Sequence, residues 1–299
     1  MRAEKTPLVT VMLPCYNAER TLRRALASLV AQTYGNWECI FVDDGSTDGS
    51  RSLVESVCDP RIEALSFPRN RGRGAARQLA LSRVRGKYLA LLDADDWIYP
   101  WKLERQVRLM EEIPSLAALG SAMAIIDERG DLVGVRPQTS RSRPMAVRGP
   151  FAPLDALRIS FATSLIQAKF AREAGFEEGF QRSEDGDFLR RVLACRYYAS
   201  LHEATYVYSW CESANLESIL EGMRYRELSI VKYRHACPVR SRVRRLQCLT
   251  KSALYRLSFW AGIGRRLVQV RCSKPSEADR RDFALARQTV NEICARVFH

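Results

Sequence analysis

Three carboxylates follow an apolar run near the middle of the chain. Leu89 to Leu92 lead directly into Asp93, Asp95 and Asp96. A short apolar run with sharply polar ends is typical of a strand buried on both faces of a sheet. Carboxylates this close repel one another unless a cation or hydrogen bonds intervene, so the cluster suits a hard divalent cation beside a phosphate-bearing ligand. A strand followed by an Asp that caps a helix would have the same residues, so the short motif alone does not distinguish a cation site from a helix cap.

A second set of polar residues follows the first apolar run, Leu8 to Leu13. Pro14 ends this run, and Tyr16 and Asn17 come shortly after it. The Tyr16 ring could stack on a nucleotide base, or its hydroxyl could bond a base edge. Asn17 could belong to the same site or could simply cap the next helix.

Two further loops carry groups that could bind a nucleotide. Asp43 and Asp44 follow the apolar run from Glu38 to Val42, and one of them could accept hydrogen bonds from a base N–H or from ribose hydroxyls. The next loop has four arginines that could neutralise phosphates: Arg69, Arg71, Arg73 and Arg77. A turn with a helix cap and a solvated basic loop are the structural alternatives.

Two more carboxylates, Glu184 and Asp185, open a predicted helix. Negative charge is favourable near a helix N-terminus, which would be a purely structural role. A carboxylate beside a phosphate site could instead act as the general base for an alcohol. Residue chemistry leaves both roles open.

The elements that must position these groups alternate between strands and helices. Strands are predicted at Leu8–Leu13, Glu38–Val42, Ile62–Phe67, Leu89–Leu92, Leu116–Ala124 and Tyr206–Trp210. Helices are predicted at Ala18–Gln32, Asp48–Val57, Ala75–Arg83, Tyr99–Glu112, Ala168–Ala174 and Asp185–Ala194. This alternation predicts an α/β fold with a doubly wound, mostly parallel sheet, so that the polar strand ends meet in one crevice. Asp127–Gly130 is predicted as a hairpin turn and Gln138–Pro153 as a mobile surface loop.

Five motifs occur in order along the first two-thirds of the chain. They are Pro14-Cys15-Tyr16-Asn17, Val42-Asp43-Asp44-Gly45-Ser46-Thr47-Asp48, Asn70-Arg71-Gly72 with Ala76-Arg77, Asp93-Ala94-Asp95-Asp96, and Glu184-Asp185. This combination resembles the family-two inverting glycosyltransferases with the GT-A fold, over about residues 7 to 210. The resemblance implies a nucleoside-diphosphate sugar as donor, with the UDP type favoured, and Mg²⁺ or Mn²⁺ as cofactor.

The resemblance also implies roles for the matching residues. Asp43 or Asp44 would bind the base, and the residues that help to hold the nucleotide sugar would be Pro14, Tyr16, Asn17, Arg71 and Arg77. Asp93 would contact the ribose, Asp95 would ligate the cation that bridges the diphosphate, and Asp185 would be the catalytic base. The acceptor side would be lined by Thr163, Ser164 and Glu184.

The chain departs from the family pattern at its end. The family often has Tyr-Arg-x-His there, whereas this chain has Tyr208-Ser209-Trp210-Cys211. A thiol is a poor ligand for a hard cation, so this puts a late metal or phosphate contact in doubt. His202 could substitute for the missing histidine or could be an ordinary surface residue.

The composition bounds the cellular setting. Nine cysteines without a Cys-x-x-Cys pair indicate reduced thiols in a cytoplasm, not a disulfide framework or a zinc site. The N-terminus lacks the apolar core of a signal peptide, and no apolar run reaches the roughly 18 residues that a membrane-spanning helix needs.

Positive charge is concentrated in the last part of the chain. The formal charge is +13, and from Glu221 onward 18 Lys and Arg stand against 6 Asp and Glu. Between Arg240 and Val270 the large apolar residues, among them Leu257 and Trp260, share one helical side. This pattern predicts a basic amphipathic helix for an anionic membrane face, with packing against the catalytic domain as the alternative. We therefore expect a catalytic domain at residues 1–214 and a basic helical extension at 215–299.

The residues and the resemblance together predict a metal-dependent inverting glycosyltransferase of surface polysaccharide or lipopolysaccharide synthesis. Its acceptor would be a glycan or glycolipid, and it would be cytoplasmic and peripheral at the inner face of the cell membrane. Sugar transfer to a polyprenyl phosphate, nucleotidyl transfer on a similar sheet, and a non-catalytic nucleic-acid-binding role are the alternatives. Nucleic acid is not favoured as a partner, because the basic tail lacks aromatic residues interleaved for base stacking.

Overall fold

The computed structural model describes residues 6–136, 145–152, 154–177, 184–209, 216–235, 238–262 and 272–298, and its strands form one mixed sheet. The strands are β1 Val9–Cys15, β2 Trp37–Asp43, β3 Ile62–Ser66, β4 Tyr88–Leu91, β5 Trp97–Ile98, β6 Leu116–Ile126, β7 Leu132–Arg136, β8 Met145–Arg148, β9 Leu165–Gln167 and β10 Tyr197–Ser209. The helices are α1 Glu19–Val30, α2 Ser50–Ser56, α3 Arg73–Ser82, α4 Lys102–Glu112, α5 Ala168–Ala174, α6 Glu184–Leu193, α7 Leu216–Lys232, α8 Pro238–Trp260 and the C-terminal helix Glu277–Phe298.

Four parallel strands in the order β3-β2-β1-β4 carry the strand-end motifs. β1, β2 and β4 are buried along their whole lengths, which explains why their sequences are mostly apolar and do not alternate with polar residues. In the register, Cys15 lies beside Asp43, and Asp43 lies beside Ser66. The predicted α/β fold with a doubly wound, mostly parallel sheet is confirmed, and the carboxyl ends of these strands are level with one another.

A layer of helices covers each face of the sheet. On one face, Leu22 and Leu26 of α1 are buried with Leu103 of α4. On the other face, Ala76 of α3 is buried with Phe188 of α6. The apolar positions recur at helical spacing, so each helix buries one stripe and leaves its polar side in solvent.

The second half of the sheet differs from the sequence prediction. β10 is much longer than the predicted strand Tyr206–Trp210 and lies parallel to β6. Met145–Arg148 form β8, antiparallel to β10, so the prediction of a loop over Gln138–Pro153 is wrong in that part. Residues 137–144 and Pro153 lie outside the described residues. β9 joins β4 to β6 by antiparallel pairing and escapes prediction because three residues are too few to show a period. The predicted hairpin turn at Asp127–Gly130 is confirmed between β6 and β7.

The region after residue 215 has two parts with different surroundings. α7 and α8 pack on each other. The C-terminal helix instead buries Phe283 and Val290 in a cluster with Trp97 and Val207 of the sheet. The C-terminal helix therefore packs into the core formed by residues 1–214. That α7 and α8 form a unit separate from this core remains a prediction. Among the described helices, none is both long enough and apolar enough to cross a membrane.

The C-terminal helix offers a test of this arrangement. Phe283 is 4% exposed, and its ring centroid lies 5.7 Å from that of Trp97. Phe283→Ala should lower the free energy of unfolding by about 3–5 kcal/mol, because it leaves a cavity in the core. Leu285→Ala on the same helix, where the side chain is 55% exposed, should change it by less than about 0.5 kcal/mol. Urea unfolding of both variants measures these changes in the free energy of unfolding. Equal changes in the two variants would show that the C-terminal helix does not pack into the core.

Candidate active site

The two acidic residues at the end of β2 have different tasks. Asp44 accepts the backbone N–H of Arg71 at 2.7 Å with Oδ1 and that of Gly72 at 2.9 Å with Oδ2. Both oxygens are therefore used to hold the loop that follows β3. Asp43 is also buried, but only its Oδ1 has a described partner, the N–H of Ser46 at 3.0 Å. Of the two residues that the resemblance offers for the base, Asp43 keeps an oxygen for a ligand.

Gly45 lets these two loops lie against each other. Its φ of +74° is readily adopted only by glycine, and a Cβ at this position would lie 2.4 Å from the carbonyl carbon of Arg69. A side chain there would push the arginine loop away from the end of β2. The sequence Asp43-Asp44-Gly45 thus fixes both the carboxylates and the loop that they hold.

Asn17, which follows β1, connects two loops of the site. Asn17 does not cap α1, since Ala18 is the N-cap residue and has no side-chain capping bond. Asn17 Oδ1 instead accepts the Thr47 N–H at 2.8 Å, and the Asn17 N–H donates to Ser46 Oγ at 2.9 Å. Asn17 therefore ties the loop after β1 to the loop after β2, which leaves its backbone at a positive φ of 50°.

Among the other side chains near the end of β1, two are buried and two are exposed to solvent. Pro14 is buried in the sheet, while Tyr16 is exposed. Burial raises the pKa of the Cys15 thiol to about 11, so this thiol stays protonated near neutral pH. Arg71 is exposed, with its guanidinium 4.7 Å from the ring centroid of Phe67. Tyr16 and Arg71 are thus the accessible members of this group.

The acidic cluster after β4 has one fixed and one open member. Asp96 is buried, and its Oδ2 accepts the Tyr206 hydroxyl at 2.8 Å while its Oδ1 accepts the Ser209 N–H at 2.9 Å. Burial, and then the charges of Asp95 and Asp93, raise the pKa of Asp96 well above its ordinary value. Asp96 therefore joins the acidic loop to the end of β10. The sequence gives no signal for this contact, because the partners lie 110 residues apart.

Asp95 is the open carboxylate of the cluster. It is exposed, and no described side chain bonds to it. Desolvation, and then the charge of Asp93, raise the pKa of Asp95 above its ordinary value. A divalent cation would relieve this repulsion. Among the described residues, no group of three or more His, Cys, Asp or Glu side chains is placed to hold a metal ion.

Arg77 of α3 is a buried bridge. Its side chain is 4% exposed, and it donates to Glu184 Oε1 at 2.6 Å and to Asp93 Oδ1 at 3.2 Å. Burial alone would lower the pKa of this guanidinium, but three surrounding carboxylates raise that pKa above its usual value. These carboxylates belong to Asp93, Glu184 and Asp185. The prediction that Arg77 meets the nucleotide directly is not supported by this placement, because its charge is used inside the protein.

Arg73, one turn earlier on α3, is better placed for an anion. Its side chain is 57% exposed, and its Nε lies 3.7 Å from Glu184 Oε1. Its charge partly opposes the rise in the pKa of Asp95 that burial and Asp93 cause, which puts the guanidinium close to the open carboxylate. Arg73 is therefore an accessible cation at the edge of the acidic cluster.

Glu184 and Asp185 begin α6 beside this bridge. Glu184 is buried, and its Oε2 has no partner among the described residues. Asp185 is half-buried, and its Oδ1 accepts the N–H of Gly186 at 2.7 Å. Asp185 lies close to Arg77, which bonds Asp93, so the structure brings the start of α6 to the end of β4, although Asp93 and Asp185 are about ninety residues apart in the sequence.

Thr163 and Ser164 do not reach the surface of the site. Both are buried, and their hydroxyls donate to the Ser160 carbonyl at 3.2 and 2.6 Å. The Thr163 carbonyl accepts Lys102 Nζ at 3.0 Å and Gln106 Nε2 at 2.9 Å. The assignment of these two residues to the acceptor side, which the resemblance implies, stays a prediction. Their bonds hold the turn before β9, and sequence reasoning missed the two α4 residues that support it.

The structure describes only part of the last motif of the family pattern. Cys211 and Trp210 lie outside the described residues. His202 lines a cavity with Tyr99 and Arg105, and the described lining of that cavity includes none of the strand-end carboxylates. His202 therefore does not replace the missing histidine at the acidic cluster.

Comparison with known proteins agrees with this geometry. A family model described as Glycosyl transferase family 2 matches residues 10–164, just over half of the chain. The chain is similar to UDP-Glc:alpha-D-GlcNAc-diphosphoundecaprenol beta-1,3-glucosyltransferase WfgD from Escherichia coli. Identity is 40% over 103 residues, which are 34% of this chain and 41% of that protein. The chain spans about half the length of the curated relatives it matches.

Two solved structures are similar in fold. Staphylococcus aureus TarS in complex with UDP-GlcNAc has a TM-score of 0.60 and 23% identity, covering 75% of this chain and 66% of that one. The mannosyltransferase PcManGT from Pyrobaculum calidifontis, in complex with GDP-Man and Mn²⁺, has a TM-score of 0.56 and 14% identity, covering 99% and 88%. At these identities the likeness concerns the fold.

Lys102 beneath the Thr163 turn predicts a pH dependence. Burial lowers its pKa from 10.5 to about 7. Between these values the unfolded chain binds more protons at this lysine than the folded chain, so its contribution to the free energy of unfolding rises with pH. The slope is at most about 1.4 kcal/mol per pH unit. Lys102→Met should remove this rise between pH 7 and 9 in urea unfolding. The same pH dependence of the free energy of unfolding in the variant and in the unaltered chain would contradict this role of Lys102.

Proposed function

Because this chain belongs to glycosyl transferase family 2 and has the GT-A fold, we propose that it transfers a sugar from a nucleoside-diphosphate donor to an acceptor hydroxyl with inversion. One observation carries this proposal. Asp93 bonds the buried Arg77, the α6 carboxylate Asp185 lies close to the same guanidinium, and the open carboxylate Asp95 is close enough to Asp93 for the charge of Asp93 to raise its pKa. A site for the donor's diphosphate and a base for the acceptor are then adjacent.

The donor side is formed by the accessible groups of the strand ends. We assign the base to the Tyr16 ring and to the free oxygen of Asp43, and the ribose to Asp93. Asn17 holds the loop after β1 against the loop after β2, and Pro14 is buried in the sheet, so we assign both residues a supporting role. Arg73 and Arg71 are the exposed cations available to the phosphates, and guanidinium groups suit phosphate oxygens. A UDP-type donor is favoured, since the relative WfgD is named for UDP-Glc.

A divalent cation fits the acidic cluster. Mg²⁺ and similar ions are commonly held by one or two carboxylates together with substrate phosphates, so a complete protein cage is not needed. Asp95, which carries a crowded and otherwise unbonded carboxylate, would hold the ion. When bound, the cation would supply Lewis-acid stabilisation of the departing diphosphate. The structural neighbour PcManGT binds Mn²⁺ with its donor, and either Mg²⁺ or Mn²⁺ suits an oxygen site.

Asp185 would act as the general base. It accepts the proton of the acceptor hydroxyl as that oxygen attacks the anomeric carbon from the face opposite to the diphosphate. A single displacement inverts the configuration. Arg77 holds the neighbouring Glu184, which fixes the start of α6 and so the direction of Asp185.

Glu184 is the residue proposed for the sugar or acceptor hydroxyls. Its buried Oε2 lacks a described donor, and a buried acceptor without a hydrogen bond costs about 1–3 kcal/mol. A ligand hydroxyl would satisfy it. We propose a glycan or glycolipid acceptor in polysaccharide or lipopolysaccharide synthesis, in line with the lipid-linked acceptor in the name of WfgD.

We place this activity in the cytoplasm, at the inner face of the cell membrane. The described cysteines carry free thiols, and the basic C-terminal region would be attracted to anionic lipid. A glycolipid acceptor would be presented at the same surface.

Asp95→Asn tests the cation site. Transfer and metal-dependent donor hydrolysis should fall by about a hundredfold or more, because the ion loses its charged ligand. The free energy of unfolding should stay equal or rise, since the change removes repulsion from Asp93. Steady-state kinetics with Mg²⁺ or Mn²⁺ and urea unfolding measure the two effects. Retained metal-dependent turnover would refute the assignment of Asp95.

Asp185→Asn tests the base. The variant keeps the shape of the side chain but cannot take the acceptor's proton, so transfer should fall by about a hundredfold or more. Donor binding, measured by calorimetry with a nucleoside diphosphate and Mn²⁺, should be unchanged. A collapse of donor affinity would make Asp185 a binding residue instead.

A further inference from the structure

The long helix α8 presents a continuous apolar stripe to solvent. Half of the large hydrophobic side chains that are exposed among the described residues lie on this helix. The stripe comprises Val239, Val243, Leu246, Leu254, Leu257 and Trp260. At 100° per residue these positions fall on one side of a helix that is about 34 Å long. Leu257 is 61% exposed and Trp260 is 88% exposed. Over the described helix α8, the stripe therefore does not pack on the catalytic domain, whereas the part of the predicted stripe at residues 263–270 lies outside the described residues.

The charges of α8 have one sign. The helix contains six Arg and Lys and no Asp or Glu. They flank the stripe on both sides: Arg240, Arg242, Arg244, Arg245, Lys251 and Arg256. Arg240 and Arg245 pair with Asp155 and Glu227. The other four have no described carboxylate within ion-pair distance, so their charge is available to an external anion.

The opposite side of α8 is fixed to the protein. Ser241 and Cys248 are buried there, and Cys248 packs with Ile230 of α7 and with Leu154. The outward direction of the apolar stripe thus follows from packing on the inner side.

α7 is in turn bound to the helix that carries Asp185. Asp187 of α6 is buried, and its Oδ2 accepts Lys232 Nζ at 3.2 Å and Arg191 Nε at 2.9 Å. Its Oδ1 accepts the Tyr233 hydroxyl at 3.3 Å. Breaking a buried ion pair is costly, so this contact gives α7 and α8 a defined orientation relative to α6.

We propose that α8 is the surface by which the protein binds an anionic lipid bilayer. An amphipathic helix of this kind lies in the membrane interface, with its apolar side among the acyl chains and its basic side chains at the lipid phosphates. Trp260 suits the interface, where tryptophan is enriched. A second copy of this chain fits less well, because two facing α8 helices would bring unpaired positive charges together without any acidic residue between them.

The orientation has a consequence for the reaction, which rests on the proposed function. A bilayer bound to α8 is held, through α7 and Asp187, at a fixed position relative to the base Asp185. An acceptor carried on a membrane lipid would then meet α6 in a reproducible geometry. The acceptor class favoured by this surface is therefore a lipid-linked glycan.

Vesicle co-sedimentation of the full chain tests the surface. The protein should pellet with vesicles of phosphatidylcholine and phosphatidylglycerol, less with phosphatidylcholine alone, and high salt should release only part of it, because the apolar contribution is not screened. Leu257→Glu should weaken binding by about tenfold or more. Leu285→Glu is the matched control, since it makes the same change at a similarly exposed site on the C-terminal helix, and it should bind as the unaltered chain does.

Tryptophan fluorescence gives an independent reading. The emission of the full chain should shift to the blue with anionic vesicles, and Trp260→Phe should bind but lose most of the shift, because Trp260 is the most exposed of the described tryptophans, while Trp37 and Trp97 are buried and Trp101 is half-buried. Equal pelleting of both Glu variants would overturn the proposal. So would a soluble dimer that Leu257→Glu dissociates, or binding to nucleic acid without binding to vesicles.

Transfer assays separate this inference from the proposed function. Leu257→Glu should keep transfer to a soluble acceptor and lose most transfer to a lipid-linked acceptor in anionic vesicles. No transfer by the unaltered chain to either acceptor would count against the proposed function, while its vesicle binding would still stand. Equal transfer by both proteins to the vesicle-borne acceptor would overturn the role of α8.

Discussion

The candidate site depends on one buried cation. Arg77 lies almost without solvent between Asp93, which follows β4, and Glu184, which begins α6. A charge taken out of water is costly unless it is paired and hydrogen-bonded, and a carboxylate without its partner there would be costly too. The guanidinium therefore requires both acids, and both acids require the guanidinium. This mutual requirement brings α6, and Asp185 with it, to the strand ends of the sheet.

Acidic residues occur in adjacent pairs at two strand ends of this site, and the two members of each pair have different tasks. After β2, Asp44 is used by two backbone N–H groups and Asp43 keeps an oxygen. After β4, Asp96 is bonded to β10 while Asp95 is exposed. One member of each pair fixes the loop, and the other is thereby held in place without using its own charge. After β4 this arrangement has a cost, because burial raises the pKa of both Asp96 and Asp95, and the charges of neighbouring aspartates raise both further.

Local chemistry made the parallel half of the fold predictable. Continuous apolar runs that end in polar residues identify β1, β2 and β4, and level strand ends follow from parallel pairing. The roles within each acidic pair could not be predicted, because Tyr206, Ser209 and the backbone donors are distant in sequence. β8 and β9 escaped for another reason, since strands of three or four residues show no period. The resemblance identified the motifs correctly but could not separate Arg77, which is buried, from the exposed Arg73.

The C-terminal region shows why composition alone could not decide its role. Among its described helices the net positive charge lies on α8, because acidic and basic residues are equal in number in α7 and in the C-terminal helix. The apolar residues of α8 and of the C-terminal helix have opposite fates. Phe283 of the C-terminal helix is buried against the sheet, whereas Leu257 of α8 remains in solvent. Exposed apolar side chains along a whole helix lower solubility and gain nothing for folding, so a partner that covers them is the physical reason for keeping them. Because α8 is fixed through α7 and Asp187 to α6, a partner bound at this surface, as we propose, would have a defined position relative to the candidate site.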